Sequence, residues 1–138
     1  MMNSHALERG HLEIAEDLRP LYAFGHVEMQ VRNIQDSGDF FLKIGLREVI
    51  LEETFTILEV RGGTHLILSP SDQGIAADTG APFDLMVDDV AAVHKLMQSL
   101  DLSPTQIEDN GIHRYFYVME PGGHKITVNS SHATEFPV

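Results

Sequence analysis

The feature that most constrains this chain is that it repeats itself. His26-Val27-Glu28-Met29-Gln30-Val31 lies over Pro82-Phe83-Asp84-Leu85-Met86-Val87 at an offset of 56 residues, apolar on apolar and acid on acid. The match runs on through the helix openings, with Ile34 over Val90 and Phe40 over Leu96. Later, Gly62-Gly63-Thr64-His65-Leu66-Ile67-Leu68 falls on Gly122-Gly123-His124-Lys125-Ile126-Thr127-Val128 at an offset of 60, so the second copy is four residues longer. Self-similarity at a fixed spacing marks a unit used twice.

Each copy reads in the same order. His26–Val31 alternates: Val27, Met29 and Val31 point to a packed layer, while His26, Glu28 and Gln30 point the other way. A strand over 23–31 is followed by a helix opened by Asn33 or Asp36, striped by Ile34, Phe40, Phe41 and Ile44, and stopped by Gly45. Strands follow over 46–51, 55–60 and 64–69, the last ended by Pro70. A Gly-, Asp- and Ala-rich connection over 71–82 precedes the second copy. That copy has a strand over 83–87, a helix capped by Asp88-Asp89 and carrying Val90, Val93, Met97 and Leu100, then strands over 102–107, 113–119 and 124–129. Residues 6–18 fit a short acidic helix ahead of Pro20, and residues 130–138 a loose tail.

Strand-helix-strand-strand-strand, twice, predicts an α+β domain of two tandem βαβββ modules. Each sheet buries one face under its own helix. The other faces form a cupped, barrel-like mixed sheet with the helices outside, around a space for a small molecule. The expected division is an N-terminal extension over 1–22, module one over 23–70, a linker over 71–81, module two over 82–130 and a tail over 131–138.

Composition narrows the function classes. The 138 residues hold 9 Lys and Arg against 21 Asp and Glu, a net charge of −12. Such a surface repels phosphate backbones and disfavours nucleic-acid partners, and it draws cations from a distance. With no Cys there is no thiolate chemistry, and a metal would need His or oxygen ligands. No apolar run approaches a membrane span and no secretory signal is visible, so the expectation is a cytoplasmic protein. Phosphate-binding loops and a nucleophile elbow are missing from the sequence.

The Gly-His-Val start, the Glu-Pro-Gly-Gly turn where Asp-Pro-x-Gly is usual, and the doubled βαβββ order together resemble the glyoxalase, bleomycin-resistance and extradiol-dioxygenase superfamily, the vicinal oxygen chelate proteins. The resemblance covers about residues 23–130. It implies a homodimer, and in metal-dependent members a divalent ion held from the first and last strand of each module. Those positions fall on His26, Ile67, Pro82 and Thr127. Only His26 is an ordinary ligand, so no retained metal site is expected, although a displaced divalent ion using His26, Glu28, His65 and Asp84 stays open.

Two functional readings follow. In the first, the chain binds a small, preferably cationic molecule between its modules, with Gln30, His65, Met86, Arg114 and Thr127 as contacts. In the second it is a lyase, isomerase or dioxygenase, with or without metal, using His26 with Glu28 or Asp84 as acid and base. Two carboxylates sharing one cavity would raise one pKa. Pairing of either with Arg32, Arg114 or Lys125 is the plainer alternative. Glu120 is read as a turn residue.

Overall fold

The computed structural model describes residues 17–76 and 78–131. Within it, Phe24–Ser131 forms one compact unit. In the short stretch before it, Arg19 pairs with Asp17 at 2.7 Å. The expected helix over 6–18 and the expected tail over 131–138 lie almost wholly outside the described residues.

The first module runs β1 (His26–Val31), α1 (Ile34–Ile44), β2 (Arg47–Leu51), β3 (Thr56–Glu59) and β4 (His65–Pro70). The second runs β5 (Thr79–Val87), α2 (Val90–Ser99), β6 (Glu108–Asp109), β7 (Arg114–Met119) and β8 (His124–Ser130). Each helix begins where a short polar side chain satisfies a free amide of the first turn. Asn33 accepts from the Asp36 amide at 2.9 Å and Asp89 from the Ala92 amide at 3.0 Å. Gly45, at φ 119°, ends α1 in the left-handed conformation that a side chain would resist.

The sheets are ordered β1-β4-β3-β2 and β5-β8-β7-β6. In each, the first and last strands pair in parallel and the others antiparallel. The registers agree as well. Glu28 faces Ile67 and Met29 faces Leu68; Asp84 faces Thr127 and Leu85 faces Val128. These are the residues that the sequence repeat superposes. The doubled α+β architecture is therefore real in three dimensions, a cupped pair of mixed sheets with helices on one side.

One core joins the modules. Met29, Val31, Leu58, Leu66 and Leu68 under α1, and Phe116, Val118, Ile126 and Val128 under α2, belong to one buried cluster. Phe41 of α1, fully buried, meets Phe83 of β5 with ring centroids 6.2 Å apart. The side chains expected on the far face of β1, His26, Glu28 and Gln30, are exposed.

Two expected boundaries move. β5 starts at Thr79, inside the Gly-rich connection, because its first residues pair with the start of β8: Thr79 faces His124 and Gly80 faces Lys125. The expected strand over 102–107 is not formed. At Thr105 the backbone amide donates to the Tyr117 carbonyl at 2.9 Å, yet the Tyr117 amide donates to the Thr105 hydroxyl at 2.8 Å. A side chain thus takes the place of a backbone acceptor, and only Glu108 and Asp109 remain as a ladder with β7.

The modules are also clasped through Glu120, in the turn between β7 and β8. Its carboxylate is buried and accepts from Ser37 Oγ on α1 at 2.6 Å, the Gly122 amide at 2.9 Å, the His124 amide at 3.2 Å and His124 Nδ1 at 2.7 Å. Burial pushes this carboxyl up, but the Ser37 hydroxyl and the three further donors outweigh it and hold Glu120 below the ordinary glutamate range. Ser37, a carboxylate and a histidine meet here, but the serine donates to the carboxylate and is itself buried, so the group is a structural clasp and not a nucleophile with its base.

Candidate functional site

Where the modules meet, a cleft of about 1130 Å³ opens. Its apolar walls come from four places. Val27 and Leu66 belong to the first sheet, Phe83, Leu85 and Val87 to β5, and Leu96 and Met97 to α2. The end of α1, Ile44 to Leu46, also lines it. The strand residues among them share the helix-side face of their sheets, and the two sheets meet at β1 and β5 without ladder hydrogen bonds between them.

Polar groups enter the cleft from the other sheet face. His26 and His65 sit opposite each other on β1 and β4, with ring centroids 5.8 Å apart. His65 Nε2 lies 3.4 Å from Glu59 Oε2, and Arg47 pairs with the same carboxylate. The Arg47 guanidinium beside it holds Glu59 below the usual carboxylate range, with His65 adding a smaller pull in the same direction. Asp84, Met86 and Pro82 reach the cleft from β5, and Arg61 from the turn before β4. Arg61 Nη1 crosses to Asp88 Oδ2 of the second module at 2.8 Å.

Of the residues expected to form a site, the cleft brings together His26, His65, Asp84 and Met86. Glu28, Gln30, Arg114 and Thr127 are not among its lining residues. Facing the right way is not enough: residues two apart on a strand are separated by roughly 7 Å, and Glu28 and Gln30 lie further along β1 than His26. Glu28 accepts from Ser69 Oγ at 2.9 Å and Asp84 from Asn129 Nδ2 at 3.0 Å, so each carboxylate is held by the last strand of its own module. Among the described residues none of the three expected cations pairs with either: Arg32 donates to the Ile75 carbonyl, Lys125 lies 4.5 Å over the Tyr117 ring, and Arg114 is exposed at the start of β7. Sequence reasoning missed Glu59. The signal was present, because the Gly62-Gly63 turn sets the β3–β4 hairpin register and places Glu59 opposite His65.

The donor set does not suit the superfamily's divalent ion. Pro82 and Ile67 offer no donor atom and Thr127 only a hydroxyl. Among the described residues no three His, Cys, Asp or Glu side chains are grouped to hold a metal. What the cleft does offer is apolar walls with two imidazoles, His26 and His65, two carboxylates, Glu59 and Asp84, and the guanidinium groups of Arg47 and Arg61.

No protein-family model matches the sequence, and no curated protein matches it. Solved structures do. An integron cassette protein from the mobile metagenome of a Halifax Harbour sewage outfall superposes with a TM-score of 0.69 at 18% identity, over 80% of this chain and 99% of its own. Lactoylglutathione lyase from Agrobacterium tumefaciens superposes at 0.66 with 17% identity, over 81% and 96%. A bleomycin-binding protein complexed with bleomycin superposes at 0.63 with 14% identity, over 82% and 100%. The chain has the fold of the glyoxalase, bleomycin-resistance and dioxygenase superfamily, as its doubled sequence implies.

Proposed function

We propose that this chain binds a small organic molecule in the cleft between its modules, without the divalent ion of the superfamily's metal-dependent members. The observation that carries the reading is the cleft itself. It is large enough for a drug-sized ligand, mostly apolar, and furnished with a few convergent polar groups, which is how such sites are built. The fold likeness to a protein solved with bleomycin bound supports it. The poor donor set at the superfamily's metal positions supports the metal-free part.

A thermal-shift screen of amphipathic compounds tests the reading. A ligand at 100 times its Kd adds about 2.7 kcal/mol of stability, a shift easily resolved. A screen without any stabilising compound removes the proposal. Stoichiometric Zn, Ni, Mn or Fe in the purified protein, released by a chelator, removes its metal-free part.

One observation favours a second reading, that of a lyase or isomerase. Glu59 beside His65 is the arrangement that orients an imidazole as a base. Turnover of a bound compound that His65→Ala abolishes, with binding kept, would establish it. Pairing of two copies belongs to the same proposal and is supported by Val49, Ile50 and Leu51, exposed along the edge strand β2. A cytoplasmic setting is supported by the cysteine-free sequence.

A further inference from the structure

We infer that the ligand of this cleft is an amphipathic cation whose charged group docks on Asp84. The inference rests on the binding reading above and names the class of ligand. It follows from pairing off the cleft's charges. Arg47 is engaged by Glu59, which also takes His65. Arg61 is engaged by Asp88. Among the described residues Asp84, an exposed side chain, is the one of the two lining carboxylates without a cationic partner. Its one hydrogen bond among the described residues, from Asn129 Nδ2, engages Oδ2 and orients the side chain while leaving acceptor positions open.

An anionic ligand would have to compete with Glu59 and Asp88 for the two exposed arginines, whereas a cation at Asp84 meets no such competitor. A neutral ligand fits the apolar walls and leaves Asp84 unused. A cation with an apolar body uses both features, since Met86 and Pro82 flank Asp84 on the same face of β5 and Phe83 and Leu85 enter the cleft from its other face. The net charge of −12 adds long-range attraction for the same ligand. Asn129 is a positioning residue in this scheme, because it acts through Asp84.

Three probes with one body and different heads test the inference: 4-phenylbutylammonium, 4-phenylbutan-1-ol and 4-phenylbutyrate, titrated calorimetrically into the full chain. The expected result is that the ammonium binds roughly fivefold or more tightly than the alcohol, and the carboxylate most weakly. In Asp84→Asn the ammonium loses its advantage and binds no more tightly than the alcohol does. The preference also shrinks between ~0.01 and ~1 M salt. An alcohol or carboxylate that binds as well as the ammonium overturns the inference and leaves the cleft reading standing. So does an ammonium preference that survives Asp84→Asn. If none of the three binds, the inference falls, and the broad thermal-shift screen then decides separately whether the cleft binds anything.

Discussion

Two carboxylates bridge the modules, and they do so in opposite surroundings. Glu120 crosses to Ser37 in a buried pocket with four donors around it. Asp88 takes Arg61 at the surface, where the two side chains are 73% and 64% exposed. Both are short contacts, and a list of interactions would rank the ion pair higher. Physics reverses the order. The exposed pair is screened by water and salt and gives up side-chain freedom to hold one geometry. The buried carboxylate cannot trade its partners for water, so every donor around it counts. Only the first bridge is expected to set the relation of the modules.

Three experiments can break or sharpen that contrast. The largest effect is expected for Glu120→Ala, which strands the Ser37 hydroxyl and two backbone amides in a dry site and should cost about 3 kcal/mol in denaturant unfolding. A loss within about 0.5 kcal/mol, the size expected of an exposed ion pair, would place the two bridges on a par. The same group sets a pH dependence. Its folded pKa lies below its unfolded one, so its contribution is complete above the ordinary glutamate value and drains away as pH falls through the lower folded value. Glu120→Gln should flatten that acid limb of the stability profile.

Next comes Gly122→Ala. A Cβ there would meet Glu120 Oε2 at 2.7 Å and Oε1 at 3.2 Å, and the carboxylate has no freedom to retreat. A loss of about 1–3 kcal/mol is expected, and it should largely vanish when Glu120 is already alanine, which a double-mutant cycle reads directly. The smallest effect is expected for Arg61→Ala, within about 0.5 kcal/mol and undetectable in ~1 M salt. A larger, salt-insensitive loss would show that the surface pair carries more than its exposure allows.

The fold was legible because its signals are local. Alternation in His26–Val31, caps at Asn33 and Asp89, the stop at Gly45 and the two double-glycine turns can each be read within a few residues of themselves. The failures have equally local causes. At Thr105 a hydroxyl does the work of a carbonyl, and no propensity anticipates that. Glu120 looked like a turn residue, and it is one; its burial depends on Ser37, 83 positions away. The candidate site was legible by face and not by depth. His26, His65, Asp84 and Met86 line the cleft, whereas Glu28 and Gln30, with the same parity as His26, do not. Parity says which side of a sheet a residue takes, while the extent of the cleft along the strand depends on how the two modules abut.

The crossbars from Ser69 to Glu28 and from Asn129 to Asp84 occupy matching places in the two copies, yet no residue is shared between them. Glutamate is one methylene longer than aspartate, and asparagine's amide sits one bond further out than serine's hydroxyl. A long arm meets a short one in the first copy; two arms of middle length meet in the second. What the doubling handed down is a distance to be spanned, and a change on either side holds only when its opposite number changes by the same reach.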